Sequence, residues 1–343
     1  MGDRRRKAFD GPVDISWLDR ADPDRRDLDG VAAIIEASRE ADYPQELART
    51  VPVLRAGLRH GWSSTPIHTA VARQGHRVVG VLEMELPAWD NTHTGNTEIN
   101  VDPLLRRRGI GTRLFAEATD RMRRENRTLI LAESWDLPAS SGFCKAMGLE
   151  RASEEIQRRQ DVLAVDWDRL GVLYAGAEAK AAGYELVRIP GDVPEDLMPA
   201  IVELTAAIND APTDDLQIED EKFSPERLRA AEVAQVAAGR RQYRLVARER
   251  ATGVLAGHTV LAVDVDHPWH GWQYDTSVLR THRGHRLGLL LKIGMMRWLQ
   301  DAEPQLRAVN TWNAGSNDHM IAVNELLGFR IVASATAWQR KLV

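Results

Sequence analysis

Two carboxylates in this chain, Glu98 and Asp275, each stand eight residues ahead of an arginine that opens a glycine-bearing turn. The turns read Arg106-Arg107-Arg108-Gly109-Ile110-Gly111 and Arg283-Gly284-His285-Arg286-Leu287-Gly288. One offset of 177 residues relates Glu98 to Asp275, Val101 to Val278, Arg106 to Arg283, Gly111 to Gly288 and His93 to His270 without a gap. A period of domain size means a tandem duplication and not a solenoid. These residues offer two kinds of chemistry. A carboxylate beside a cleft accepts the proton that an alkylammonium, with a pKa of about 10.4, must lose before it attacks. A turn that ends a strand and opens a helix aims several backbone N–H groups at one point. There the helix dipole, the glycines and the arginines together suit a phosphate.

Each feature also has a plainer reading. A strand carboxylate can be solvated or paired with a turn arginine, and strand-to-helix turns carry Gly and Arg for solubility. Recurrence of the turn in one setting favours the phosphate, while both readings of the carboxylates stay open. His93 and His270 are alternative bases, though a lone histidine is more often packed or solvated. Neither turn is followed by Gly-Lys-Ser/Thr, which excludes a P-loop, and neither completes Gly-x-Gly-x-x-Gly.

The elements that must position these groups repeat as well. Apolar spacing predicts helices over 28–40 and 45–58, strands over 67–72, 77–86 and 94–101, and a helix over 111–125. A buried strand over 128–133, a helix over 140–147 and a last strand within 154–165 complete the first half. The second half predicts helices over 194–208 and 225–238, the latter capped by Ser224, and strands over 242–248, 254–265 and 272–279. A helix over 287–299, a strand over 308–311, a helix over 317–327 and a strand over 331–338 follow. An Ala-rich helix over 167–182 joins the halves, so the domains are expected at 1–175 and 176–343, and the acidic stretch 209–221 reads as a loop. Hairpins mixed with crossover helices argue an α/β (α+β) mixed sheet.

Composition removes other classes. With 43% hydrophobic and 28% charged residues the chain of 343 reads as soluble and globular. A net charge of −5 gives no global reason to bind nucleic acid or an anionic membrane. The single cysteine, Cys144, permits neither an intramolecular disulfide nor a Cys-based zinc cage and fits a cytoplasmic location. The basic start at 1–7 lacks an apolar run after it and is expected to be a frayed end, and no stretch is long enough to span a membrane.

With these residues in view the sequence resembles the GNAT acyltransferases. Their cofactor turn, Arg/Gln-x-x-Gly-x-Gly/Ala after the fourth strand, is matched by Arg106-x-x-Gly109-x-Gly111. Their second marker, Asn, an apolar helix and Gly-Phe, is matched by Asn317, Met320-Ile321, Leu326-Leu327 and Gly328-Phe329. The resemblance covers nearly the whole chain as two tandem GNAT domains. It is similar to the actinobacterial two-domain group that includes mycothiol synthase, from which Asp90-Asn91-Thr92-His93, Asn209-Asp210-Ala211-Pro212 and Trp312-Asn313-Ala314 also look familiar.

The resemblance implies an N-acyltransferase that uses acetyl-CoA, or another acyl-CoA, on the amine of a small molecule, with no metal and no covalent enzyme intermediate. The cofactor would lie where the fourth and fifth strands splay. Its pyrophosphate would rest on Arg106, Arg108, Gly109 and Gly111, or on Arg283, Gly284, His285 and Gly288. Val101 and Val278 would mark the strands that polarise the thioester carbonyl, Asn317 would flank the cofactor, and Glu98 and Asp275 would be the bases. Arg286 stands where the pattern has its first Gly, either adding a phosphate contact or filling the phosphate's space. The family's tyrosine acid is replaced by Cys144 and Asn324, and the first half has Leu137 where the second has Asn317. Asn317, Asp275 and the full helix motif favour the second half as the active one. The alternative is a non-catalytic acyl-CoA sensor on the same fold. Trp269, Trp272 and Trp312 near the second cleft, and Trp89 and Trp135 near the first, would wall an acceptor pocket or fill core. No nucleic-acid or membrane partner is implied, and a monomer or homodimer is expected.

Overall fold

The computed structural model describes residues 12–62 and 65–342; the basic start at 1–7 lies outside the described residues. The first half runs β1 (Asp14–Trp17), α1 (Arg25–Asp42), α2 (Val51–His60), β2 (His68–Gln74), β3 (Arg77–Glu85), β4 (Thr94–Val101), α3 (Ile110–Arg124), β5 (Leu129–Trp135), α4 (Pro138–Ala146) and β6 (Glu150–Asp161). The joining helix α5 (Trp167–Lys180) leads to β7 (Tyr184–Pro190), α6 (Met198–Ala206), α7 (Pro225–Ala237), β8 (Arg240–Glu249), β9 (Leu255–Asp264) and β10 (His270–Val278). The chain closes with α8 (Leu287–Ala302), β11 (Ala308–Ala314), α9 (Asp318–Leu326) and β12 (Arg330–Lys341).

Local chemistry accounts for these elements. Asp24 caps α1 by accepting from the Arg26 N–H, and Leu28, Val31, Ile34 and Ile35 form its buried stripe, the last three in one cluster with Val78 and Val81 of β3. Ser224 caps α7, whose first residue is Pro225, by accepting from the Arg227 N–H. The α3 stripe is the predicted Leu114, Phe115, Ala118 and Met122. In α8 nearly every residue from Leu287 to Leu299 is buried, because α5 covers the face that a surface helix would leave to water.

The observed chain departs from its pattern in four places. The second helix starts at Val51, since residues 44–46 form a turn, closed by the Glu46 N–H on the Tyr43 carbonyl and held by Arg39, which donates to the carbonyls of Pro44 and Glu46. Strands β1 and β7, absent from the sequence reading, are the two outer strands, each paired on one side only. The expected boundary near residue 175 falls inside α5. Its Leu170 and Ala177 sit in the second half's core, so the change of core comes ahead of that helix, after Asp161.

The fourth departure is topological. All strands among the described residues form one sheet in the order β1-β2-β3-β4-β5-β12-β6-β11-β10-β9-β8-β7. Strand β12 pairs antiparallel with β5 of the first half, from Ala335↔Trp135 to Lys341↔Leu129. Reciprocally, β6 pairs with β11 of the second half, from Ala308↔Asp161 to Ala314↔Glu155. The halves have thus exchanged their last strands, which also pair with each other.

Two clefts follow from the pairing. Parallel β4 and β5 share partners only from Thr94↔Leu129 to Thr97↔Ala132, and parallel β10 and β11 only from His270↔Ala308 to Trp272↔Asn310. Beyond those pairs each couple diverges, and the glycine turns close the β4 and β10 ends.

Candidate functional site

The two turns have the same backbone. Left-handed φ values occur at Arg107 (65°) and Gly109 (79°) in the first, and at Gly284 (87°) and Arg286 (56°) in the second. A left-handed non-glycine residue costs roughly 1–2 kcal/mol. Each turn relieves one of its two strained positions with glycine, but not the same one. The Arg286 mismatch is therefore an exchange of positions and not a broken turn. Its side chain does not fill the cradle: one guanidinium nitrogen lies 3.8 Å from where a Cβ on Gly176 of α5 would stand.

The first arginine of each turn has a different task from the one expected. Arg106 donates from Nε to the Val101 carbonyl (3.2 Å) and with both terminal nitrogens to Asp42 (2.7 Å each). Arg283 likewise donates to the Val278 carbonyl (3.1 Å) and to Asp210, which Arg280 also holds. Those hydrogen bonds keep the Asp210 carboxyl at about 2. Arg106 and Arg283 thus tie the turns to α1 and to the short turn that follows α6, and Arg283 also lines the second-half cavity. His285 is also diverted, resting on the Tyr184 ring at 5.4 Å, while His282 Nδ1 meets the Tyr184 hydroxyl at 2.9 Å. Arg108, Gly109 and Gly284 are exposed on their turns.

The clefts differ in space. A Cβ on Gly111 would meet Phe143 at 3.2 Å, and Phe143 packs edge-on to Phe115. A Cβ on Gly288 would meet nothing within 4 Å. At the equivalent places the second half carries Val323 and Lys292, and a cavity of about 1170 Å³ opens between β10, β11, α8 and α9. Among the described residues no side chain caps the N-terminus of α8, so the first N–H groups of that helix face this space with its positive dipole end. The Val278 carbonyl accepts from Arg283 while the next N–H, of Leu279, bonds to Ala256 on the β9 side. Because a strand residue's N–H and C=O leave on one side, the Val278 N–H points away from β9, toward the divergence.

Asp275 stands in a β-bulge. Gln273 pairs with Leu261 and Thr276 with Thr259, so Tyr274 and Asp275 together oppose Val260. Asp275 lines the cavity, where burial pushes its carboxyl up to about 6, opposed by the Arg244 charge and helped by Glu221. Arg244 also lines the cavity, donates to His258 Nδ1 (2.7 Å) and is pulled down to about 10 by burial. The buried Lys292 ammonium, 5.3 Å from the Phe329 ring, is brought to about 7 by burial.

Glu98 differs from its equivalent. It faces Glu83 across β3 and β4, and Arg49 grips Glu83 with two bonds (2.6 and 2.9 Å) while standing 3.7 Å from Glu98. The concave face around it and the Glu83 charge raise its pKa, Arg49 opposing, although 55% of the side chain stays open to water.

Other expected residues take structural places. Asn317 caps α9, accepting from the Met320 N–H (3.2 Å), and also lines the cavity. Asn324 is fully buried and donates to Asn313 Oδ1 (2.8 Å), and Cys144 is buried with its thiol raised, so neither supplies the family's tyrosine proton. His270 is fully buried at the start of β10, before the strands diverge, and burial drops it to about 4. His93 Nε2 lies 3.1 Å from the Gln217 carbonyl. Trp272 and Trp312 line the cavity, Trp135 is stacked between Tyr43 (4.1 Å) and Trp312 (5.5 Å), and Trp269 is exposed.

The acidic loop is a clasp between the halves. Asn91 exchanges two hydrogen bonds with Glu219, Asn209 does the same with Glu221, and Asp90 accepts from Arg227 and the Lys222 N–H. This clasp, with Trp62 at the end of α2, makes the first half part of the second cavity's wall. Sequence reasoning missed Arg244, Tyr274, Glu221, Lys292 and Trp62. Only alternation along the strands pointed to the first two, and nothing local marked the others. Among the described residues no group of acids, histidines or cysteines could hold a metal ion, and no helix is long and apolar enough to cross a membrane.

Comparison with known proteins agrees with this geometry. Residues 31–148 match the model of the Acetyltransferase (GNAT) family. The mycothiol acetyltransferase of Rhodococcus jostii (strain RHA1) is 30% identical over 159 residues, 46% of this chain and 48% of that protein. The chain spans about half the length of the curated relatives it matches. A tandem GNAT protein from the clavulanic acid biosynthesis pathway, solved without acetyl-CoA, superposes with a TM-score of 0.78 at 28% identity, covering 96% of this chain and 98% of that one. A GCN5-related N-acetyltransferase from Sphaerobacter thermophilus shares the fold, with a TM-score of 0.67 at 15% identity over 96% of each chain.

Proposed function

We propose that this tandem GNAT chain is an acyl-CoA-dependent N-acyltransferase that uses acetyl-CoA on the primary amine of a small molecule, in the second-half cleft. One observation carries the reading: the uncapped N-terminus of α8 and the Asp275 carboxyl open into the same cavity between diverging strands. The open space over Gly288 fits a bound pyrophosphate, with the first N–H groups of α8 as donors. The thioester, when bound, supplies an activated acyl group. The Val278 N–H would stabilise charge growing on its carbonyl oxygen, and Asp275 would take the proton from the amine. The first half would serve as scaffold and wall, through Trp62 and the clasp. Strand exchange already joins two GNAT sheets in one chain, which supports a monomer, and the single buried thiol suits the cytoplasm.

A second reading, a non-catalytic acyl-CoA sensor, draws on the buried Asn324 and Cys144, which leave the thiolate without a side-chain proton donor. Release of free CoA thiol in the presence of an amine panel separates the two. Amine-dependent thiol release supports the enzyme, and saturable binding without any release supports the sensor.

A further inference from the structure

Among the described residues the cavity holds a guanidinium with no carboxylate bonded to it. Arg244 projects from β8 opposite Val260 of β9, which itself faces the Tyr274–Asp275 bulge of β10. Arg244 and Asp275 are therefore two strands apart on one face, roughly 10 Å between backbones, and both line the cavity. Among the described residues no carboxylate oxygen is paired with Arg244. Its only hydrogen bond there goes to His258 Nδ1, and the fully buried His258, driven well below its ordinary pKa, is neutral and returns no charge. Of the two acids that act on it at longer range, Glu232 is already committed to Arg229 and the Val193 N–H, leaving Asp275.

Of the other cations of the wall, Arg227 and Arg283 are satisfied, whereas among the described residues Lys292 has only the Phe329 ring and Arg286 no carboxylate partner. Arg227 is bound by Asp90, Glu221 and the Lys222 carbonyl and stacks on Phe223, and Arg283 is held by Asp210. The first half has no counterpart: at the same register Thr69 faces Glu83, which faces Glu98. A half-buried guanidinium without an anion is costly unless something completes it.

We propose that the acceptor carries a carboxylate as well as its amine, and that Arg244 binds the carboxylate while Asp275 faces the amine. The substrate class is an amino acid or a small derivative that keeps its acid group. This rests on the second-half cleft being the site of acyl transfer. Arg244 is a specificity residue and takes no part in the proton transfer. Its planar fork suits a carboxylate, and its bond to His258 fixes the fork's orientation.

The test uses matched acceptors: amino acids of several side-chain sizes, their amides, and the amines left when the carboxylate is removed. Thiol release with acetyl-CoA gives kcat and KM for each. The carboxylate-bearing member is expected to be favoured roughly 10- to 100-fold in kcat/KM, mostly through KM. Arg244→Met should level that ratio, and Arg244→Lys should keep part of it. Circular dichroism checks folding, and Arg244→Gln replaces the Met variant if that one does not fold. Equal or better turnover of the carboxylate-free members, or a ratio that survives Arg244→Met, overturns the proposal and leaves the acyltransferase reading standing. If none of the acceptors of either kind gives thiol release despite bound acetyl-CoA, both readings fall.

Discussion

Replacing Asp275 with asparagine removes a charge while keeping size and shape, and two opposite consequences follow. Burial raises the Asp275 carboxyl from an ordinary 3.8 to about 6. A raised folded-state pKa means that the folded protein holds this proton more tightly than the unfolded chain. Stability is then lost as pH climbs through that window, and ionised Asp275 is a burden above it. Two units at 1.36 kcal/mol each bound the penalty at about 3 kcal/mol. Asp275→Asn should thus be more stable than the parent in urea unfolding at pH 7–8, by up to about that amount. The advantage should shrink as pH falls below about 6. Activity should move the other way. A base must be unprotonated, so parental kcat/KM should fall tenfold per unit below about pH 6. The variant should lose that limb and roughly 10²- to 10⁴-fold of the plateau. A variant that keeps the limb and most of the rate would show that Asp275 takes no proton. One that gains no stability would refute the burial argument.

Other consequences are simpler to check. Lys292→Met should stabilise the fold at pH 7, because a lysine brought to about 7 is a burden wherever the unfolded chain keeps its proton. The parent should catch up as pH rises from 7 toward 10, which urea unfolding at pH 7 and 9 measures. Asp210→Ala frees Arg280 and Arg283 and should weaken acetyl-CoA binding several-fold by loosening the turn, read by calorimetry, without moving the acceptor KM. Trp62→Ala removes an edge-to-face contact with Tyr274 (5.1 Å) and a wall of the cavity. It should raise the acceptor KM, although it lies in the other half, in steady-state kinetics.

The repeat was legible because backbone-critical residues recur at one offset, and it carried the fold: both strand–turn–helix units stand where the spacing put them, and both strand pairs diverge as the resemblance implied. Its gaps have physical causes. Four-residue β1 is too short for alternation to register, and β7 lies beside a helix whose apolar pattern it continues. Strand exchange leaves no local mark, since β6 and β12 read as edge-to-core strands whichever half receives them. The positive φ at Arg286 was invisible because the sequence shows which residue is glycine, not which positions demand one. Long-range pairing misled most at the site. Arg106 and Arg283 looked free beside their glycines until Asp42 and Asp210 were brought in from distant helices. Arg244 was ordinary in sequence and became notable only when the fold left it without an anion.

The central claim is that the second turn holds an acyl-CoA. Native mass spectrometry of the full chain titrated with acetyl-CoA tests it directly, comparing the parent with Gly288→Trp, a substitution into open space at the head of α8. The account predicts a bound acetyl-CoA that the variant loses. Binding that is absent from the parent, or that survives Gly288→Trp unchanged, would contradict it.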